Sequence, residues 1–547
     1  MSHSAPIELE PAAATREQAA ASTLPMFRFG APNVAPLAIV AGGLILDLGE
    51  AERTFIFRCQ DRFLAYTSLW GLRSAFFAAG DNHVGIYRSQ IAMQRGRYDR
   101  IRARTGLFAG RPLLEPLYVG CDIDQLRLCA LTGFAGQAKT LAPSFAVAMN
   151  QISPTYAGLL AQLAELLRRQ GIRVDDIAAE SAQLAGLAVA CADKSDYLAL
   201  AAGTRSLPPH VPTALFSSAE LAAQADYGAL AAEYLKRIGG NAPAPARLFV
   251  KATLNSAGNL SALIDPGNFA GEMHRPGTTL AREAAIEGAE LDEQEAELRQ
   301  EVDAAPCLRP LGFAAEQLRR YKRSQAETRQ QVDFLVQPEV RRRHGDTAFG
   351  GIGLSFMLGE DGAVAPLGAS AQFYRDPDNK HFQGAYLSEA VERDIPFCFH
   401  EGMRELCLRY AARGYRGPIN FDARRDGTGR YQLIYDCNPR LTGVLASLAV
   451  RDALRAGGSP VGSMLTLGYR GEFVLPDLDG ALDRIDRAGL LCTPERPRGV
   501  VVLPNLCRDN GFDLHLSNID PDEANRLLDN ELGALSAGTV HPRRLYW

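Results

Sequence analysis

The chain has no surplus of basic charge: its 547 residues carry 58 Lys and Arg against 63 Asp and Glu, a formal net charge of -5. Nucleic acid and anionic membrane surfaces both recruit partners through a basic field, so neither is an expected partner. It also lacks a CxxC pair. The ten cysteines, Cys59 to Cys507, are scattered and sit mostly in apolar surroundings, which predicts reduced, buried thiols and excludes a disulfide framework or a zinc cluster. No basic region followed by an apolar one opens the sequence, and the longest apolar run, Leu37 to Leu46, is interrupted by Gly42 and Gly43 and falls short of the roughly 20 residues of a membrane helix. A soluble, cytoplasmic protein is expected.

Three nucleotide and catalytic signatures are missing as well. Gly42-Gly43 follows an apolar run, but the full GxGxxG is not there, so a plain turn after a strand is the reading. The P-loop pattern GxxxxGK[ST] is absent, and no Ser-His-Asp or Cys-His arrangement stands out.

What is present is a long, ordinary globular composition, enough for two to four packed units. Residues 1–33, rich in Ala, Ser, Pro and Glu, read as a tail. From 34 to 190, short apolar runs (Leu37-Ala-Ile-Val, Thr54-Phe-Ile-Phe, Pro116-Leu-Tyr-Val) alternate with helical stretches, the clearest from Tyr156 to Gln170 with Leu159, Leu160, Leu163, Leu166 and Leu167 at helical spacing. Such alternation predicts an α/β layer on a mainly parallel sheet. A second unit, 191–338, delivers Lys251 on the strand Arg247-Leu-Phe-Val-Lys and ends at Leu335-Val-Gln-Pro, where a strand stops and a linker begins. The charged stretch Glu283 to Val302 reads as a solvated helix. A third, 339–456, has four strand-like segments and a helix around Phe397 to Arg413, an α+β lobe. The remainder, 457–547, has a strand at Gly499-Val-Val-Val-Leu and a helix at Asp522 to Leu532, and reads as a small closing segment.

The segments ending in Asp422 and in Asp436-Cys-Asn-Pro-Arg440 carry the sharpest signal. Strand alternation puts Asn420 and Asp422 on one face, and Asp436 and Asn438 on one face of the next strand. A hairpin through Asp426-Gly-Thr-Gly would bring Asp422, Asp436 and Asn438 together. Two carboxylates and an amide oxygen are the hard donors that magnesium takes when phosphate oxygens complete its shell. Singly, Asp436 and Asn438 could equally cap a strand end. Lys251 could reach phosphate or an adenine nitrogen, and the small-residue turn Asn255-Ser256-Ala-Gly258-Asn259 could aim backbone N–H groups at phosphate.

The order Asp193-Lys194, Phe249-Val-Lys251, Asn255 to Asn259, Leu335-Val336-Gln337-Pro, Asp422 and Asp436-x-Asn438-x-Arg440 resembles the ATP-grasp superfamily. Within it, Ser-Ala-Gly-Asn and Asn-Pro-Arg-Leu-Thr442-Gly443 are most similar to the amide and peptide ligases with an N-terminal pre-ATP-grasp domain, of the pheganomycin-type peptide ligase kind. The resemblance covers residues 35 to 455. It implies a pre-ATP-grasp α/β domain, a two-lobed ATP-grasp domain, and ATP with magnesium, as two ions, for cofactors. It implies that Lys194 and Lys251 contact phosphate or adenine, that Val336, Gln337 and Glu339 line the adenine edge, that Asp422, Asp436 and Asn438 bind the metal, and that Arg440 faces an acyl-phosphate. The implied reaction joins a carboxylate to an amine, an amino acid or peptide, through that acyl-phosphate with release of ADP and phosphate; the alternatives are transfer of the acyl group to a non-amine acceptor and an ATP-binding regulatory protein without turnover. A homodimer is compatible with all of this. The pattern departs from the family at three places: Asp436 and Gln337 stand where many relatives carry Glu, and Asn420 where many carry Arg. Arg375, Lys380 and His381, in a polar loop after a strand, are candidates to supply the missing cation. Arg341-Arg-Arg-His344 reads as a solvated charge run from which one Arg could reach ribose or substrate, and His400 as an ordinary helix histidine.

Overall fold

The computed structural model describes residues 26–30, 37–40, 82–87, 100–107, 115–119, 144–148, 154–174, 176–204, 206–240, 243–253, 261–273, 333–340, 350–374, 382–440, 442–469, 478–502 and 512–527. Among them the secondary structure is mixed α/β and α+β, arranged on three sheets.

The first sheet holds β1 (Met26–Gly30), β2 (Leu37–Val40), β3 (Asn82–Tyr87), β4 (Glu115–Val119) and β5 (Ser144–Ala148) in the order β1-β5-β2-β3-β4. Its interior pairings are parallel, as the strand and helix alternation predicts, and only β1 runs antiparallel to β5. The helix Pro154–Arg169 follows. Its buried face is Leu160, Leu163, Ala164 and Leu167, and it stops where Gly171 takes φ +77° while Ile172 N–H returns to the Leu167 carbonyl, the left-handed exit that glycine makes cheap. With the helix Ile177–Ala192, capped by the Asp176 side chain, it packs into the same core as the third sheet.

The second sheet is antiparallel throughout: β6 (Ala214–Ser217), β7 (Leu248–Ala252), β8 (Ser261–Ile264) and β9 (Asp333–Pro338) in the order β6-β9-β7-β8. Leu230 and Tyr234 of the helix Tyr227–Arg237 cover one face over Phe216, Leu248, Val250, Ile264 and Val336. The Leu335-Val-Gln-Pro segment, expected at a strand end, is an interior strand whose last residue is Pro338. A proline is tolerated there because it withholds only the terminal donor of the ladder.

The third sheet has eight antiparallel strands: β10 (Gly351–Leu358), β11 (Val364–Tyr374), β12 (Phe382–Ser388), β13 (Gly417–Arg425), β14 (Tyr431–Asn438), β15 (Ser463–Tyr469), β16 (Gly499–Val501) and β17 (Phe512–Ser517), in the order β14-β13-β10-β11-β12-β15-β17-β16. β15, β16 and β17, from the segment read as a closing piece, extend this sheet through β12. On its apolar face Ile352, Leu354, Phe356, Phe421 and Leu433 pack under Met403, Leu406 and Tyr410 of the helix Phe397–Ala412. The helix Asp522 to Leu532 spans Pro521–Leu527 among the described residues. Glu283 to Val302, Arg341 to His344 and Thr54-Phe-Ile-Phe lie outside the described residues. Cys191, Cys407, Cys437 and Cys492 are free, buried thiols, and burial raises each above its ordinary value.

Candidate functional site

The hairpin between β13 and β14 forms as the Asp426-Gly-Thr-Gly turn suggests. Asp426 N–H donates to the Arg430 carbonyl at 2.9 Å, its carboxylate accepts from Thr428 N–H at 2.8 Å, and Gly429 takes φ +84°. The register sets Asp422 directly opposite Asp436 and Asn420 opposite Asn438. A bulge interrupts the β13–β14 ladder: Tyr435 has φ +52°, and pairing resumes beyond it with Leu433 opposite Ala423.

The polar face of the sheet around Asp422 is built from small and amide residues. Gln372 Nε2 and Asn420 Nδ2 both donate to Asp422 Oδ1, at 2.7 and 2.9 Å, and Ser355 Oγ donates to Asn420 Oδ1 at 3.0 Å. Gly353 lies between β11 and β13, opposite both Ser370 and Asp422. A Cβ there would come within 3.1 Å of Asn420 Oδ1, 3.2 Å of Ser370 Oγ and 3.4 Å of Asp422 Oδ1. Ser370 Oγ is buried and has no hydrogen-bond partner among the described residues. Burial, then the like charge of Asp436, push the Asp422 carboxyl up to about 6 against the pull of its two amide donors.

The second sheet contributes to the same place. Lys251 Nζ, on β7, donates to the Ile434 carbonyl at the bulge, and Gln337 Nε2, on β9, donates to the same carbonyl at 3.3 Å and to Thr213 Oγ1 at 2.8 Å. Lys194, the first residue of the helix Lys194–Ala202, is 3% exposed. Its Nζ lies 3.8 Å from one oxygen of Asp436, while Lys251 Nζ lies 3.9 Å from the other. Burial, opposed by Asp436 and helped by Lys194, pushes the Lys251 amine down to about 8.

Of the residues singled out from sequence, Lys194, Lys251, Gln337, Asp422, Asp436 and Asn438 therefore meet in one place, and Arg440 Nη2 joins them by donating to Asn438 Oδ1 at 3.2 Å. Val336 faces the core of the second sheet. Glu339 is held by Arg247 in a two-bond ion pair of 2.8 and 2.6 Å. Asn255, Ser256, Gly258, Asn259, Arg375, Lys380 and His381 lie outside the described residues. The sequence reading does not single out Gln372, Ser355, Ser370 or Thr213. Period-2 alternation of Ser370 and Gln372 along β11 was the available signal, and it needed the β10 register to place them beside Asp422.

The donor set fits a hard divalent cation. Two carboxylates face one another, an amide oxygen lies one ladder step away, and the buried Ser370 hydroxyl lies beside them. No group of three or more His, Cys, Asp or Glu side chains gathers among the described residues, so an ion here would take the rest of its shell from phosphate or water.

No family model and no curated protein matches the chain. Among solved structures it is similar to the biotin carboxylase–β,γ-ATP complex of Campylobacter jejuni (11% identity, TM-score 0.40, covering 90% of each chain). It is similar to the N5-carboxyaminoimidazole synthetase of Staphylococcus aureus complexed with ADP (10% identity, TM-score 0.41, 92% of this chain and 96% of that one). It is also similar to the biotin carboxylase domain dimer of the Hydrogenobacter thermophilus 2-oxoglutarate carboxylase with MgADP, ADP and bicarbonate (12% identity, TM-score 0.38, 90% and 89%).

Proposed function

We propose that the chain is an ATP-dependent carboxylate-amine ligase of the ATP-grasp kind, with magnesium held by Asp422, Asp436 and Asn438. One observation carries the reading: Asp422 stands opposite Asp436 while Lys194 and Lys251 approach the two oxygens of Asp436 from the other side. Carboxylates alone would repel a polyphosphate and lysines alone would repel the metal; interleaved, they suit the two together.

When bound, magnesium offsets charge on the phosphate oxygens. The chain's own groups do the rest. Lys251, whose amine already seeks an acceptor at the Ile434 carbonyl, exchanges that carbonyl for a phosphate oxygen. Gln337 Nε2, on giving up its long bond to the Ile434 carbonyl, would present a donor, and that carbonyl an acceptor, to the edge of a purine. Arg440, beside Asn438, orients the carboxylate substrate for in-line attack on the γ-phosphoryl group. That attack breaks the β,γ-bridge P–O bond and releases ADP; the resulting acyl-phosphate is attacked by an amine, which loses a proton as phosphate leaves, and no protein nucleophile takes part.

The finer reading, a peptide ligase of natural-product biosynthesis, rests on the Ser-Ala-Gly-Asn and Asn-Pro-Arg-Leu-Thr-Gly motifs; two magnesium ions and a homodimer accompany the ATP-grasp resemblance, and a cytoplasmic location the scattered, buried cysteines. ADP and phosphate release over a panel of carboxylate and amine pairs, with products weighed by mass spectrometry, tests both levels. Release of AMP and pyrophosphate would overturn the acyl-phosphate route.

A further inference from the structure

An uninterrupted β13–β14 ladder would not make this metal seat. Gln432 faces Arg424 and Leu433 faces Ala423, so regular pairing would continue with Ile434 opposite Asp422 and Asp436 opposite Asn420. Instead Ile434 and Tyr435 stand outside the ladder, and Asp436 faces Asp422. Because two residues are inserted, Asp436 keeps its face and moves one full ladder step. Diagonal neighbours on such a face are about 7–8 Å apart and direct neighbours about 4.5–5.5 Å. The insertion thus decides whether one cation can touch both carboxylates.

The bulge is secured from both sides. Tyr435 adopts φ +52°, a conformation that residues other than Gly, Asn and Asp rarely take. Its ring is 2% exposed and meets Tyr197 at 5.1 Å and His210 at 5.4 Å, both edge to face. His210 belongs to a strap whose Val211 N–H donates to the Leu433 carbonyl at 3.0 Å and whose Pro209 carbonyl accepts from Leu433 N–H at 2.9 Å, pinning the last paired residue before the insertion. The Ile434 carbonyl, freed from the ladder, is the acceptor that Lys251 and Gln337 share.

We propose that Tyr435 is a positioning residue: its buried ring holds the two-residue bulge, which sets the separation of Asp422 and Asp436 and ties that seat to Lys251 and Gln337. The proposal rests on the reading that these aspartates hold a divalent cation.

Tyr435→Gly and Tyr435→Ala remove the same ring but differ in backbone: glycine takes a positive φ freely and alanine does not. Binding of Mn2+ in the presence of ADP, read from the electron paramagnetic resonance signal of the free ion, compares them with the wild type and with Asp436→Asn. The alanine variant is expected to bind Mn2+ about tenfold more weakly than the glycine variant, the size set by the cost of a left-handed alanine, and Tyr435→Phe is expected to match the wild type. Wild-type Mn2+ affinity in both the Gly and the Ala variant, with loss in Asp436→Asn, overturns the positioning role and leaves the metal seat standing. Undiminished Mn2+ binding in Asp436→Asn removes the metal seat and the proposal with it. Should circular dichroism show both ring deletions unfolded, His210→Ala carries the test: it keeps Tyr435 and removes one wall of its pocket. About a threefold weaker Mn2+ affinity supports the proposal, and an unchanged one overturns it.

Discussion

Replacing Asp422 by asparagine should stabilise the ligand-free protein while destroying the proposed metal seat. The carboxyl is raised from 3.8 to about 6, first by burial and next by Asp436. The folded state therefore keeps this proton up to about pH 6, whereas the unfolded chain releases it near 3.8. Between those values the folded state binds more protons, so stability falls as pH rises, and above about 6 the whole loss is present. That difference corresponds to about 3 kcal/mol, an upper bound for one partly buried, interacting group. The substituted amide would keep an oxygen for the Gln372 and Asn420 donors and present an NH2 to Asp436, removing the repulsion without opening a cavity. In EDTA at pH 7.5 the variant should melt a few degrees above the wild type, since about 1 kcal/mol is worth some 2–4 °C in domains of 150–250 residues. At pH 3.5 the gain should vanish. With Mg2+ and ADP the order should reverse, because a ligand at a thousandfold its Kd adds about 4.1 kcal/mol to the protein that binds it. Differential scanning calorimetry reads all three conditions. A lower melting temperature of the variant at pH 7.5, or a gain that persists at pH 3.5, would refute the reasoning.

Asp436→Asn should reduce ATP turnover by at least about a hundredfold, as loss of a group stabilising transition-state charge does; near-normal turnover in a phosphate-release assay removes the assignment. Lys251, held at about 8, should regain its proton beside a polyphosphate, so ADP binding at pH 8.5 takes up part of a proton. Calorimetry in two buffers of different ionisation enthalpy measures this, and identical heats would contradict it. Gly353→Ala, which crowds Asn420, Ser370 and Asp422 together, should raise the Mg2+ requirement for turnover with little change in melting temperature; an unaltered Mg2+ dependence counts against the packing described. Gly402→Ala, whose methyl would overlap the Ser206 carbonyl and the Pro208 ring, should cost about 3 kcal/mol in urea unfolding, and a neutral result would show that the strap yields.

The elements legible in the sequence were those set by local rules. The leucine spacing before Gly171, the Asp426-Gly-Thr-Gly turn and the face shared by Asp422 and Asn420 follow from helical period, turn chemistry and strand alternation. What could not be read was set by pairing at a distance. Gln372 braces Asp422 only because β11 lies two strands away through β10, and nothing local to residue 372 fixes that order. Tyr435 is a poor candidate for positive φ by composition, so the bulge was invisible, and the hairpin alone predicts the wrong opposite residue for Asp436. The segment after residue 457 reads as separate because nothing local links its strands to earlier ones, yet β15 completes its hydrogen bonds on β12, about 80 residues earlier.

Among the described residues, both ends of the eight-stranded sheet are closed against strangers. At β14 the strap pairs with Leu433, and Pro208, Pro209 and Pro212 around that contact have no N–H to offer a further strand. At the other end β16 is three residues long, preceded by Pro497, with Leu490 and Cys492 already bonded to Val500. A long sheet with open borders invites edge-to-edge association and aggregation; here the borders are short or already taken. Two copies of the chain would find no free border on this sheet to extend, which leaves the β13–β14 hairpin and its carboxylates outside any sheet shared between subunits.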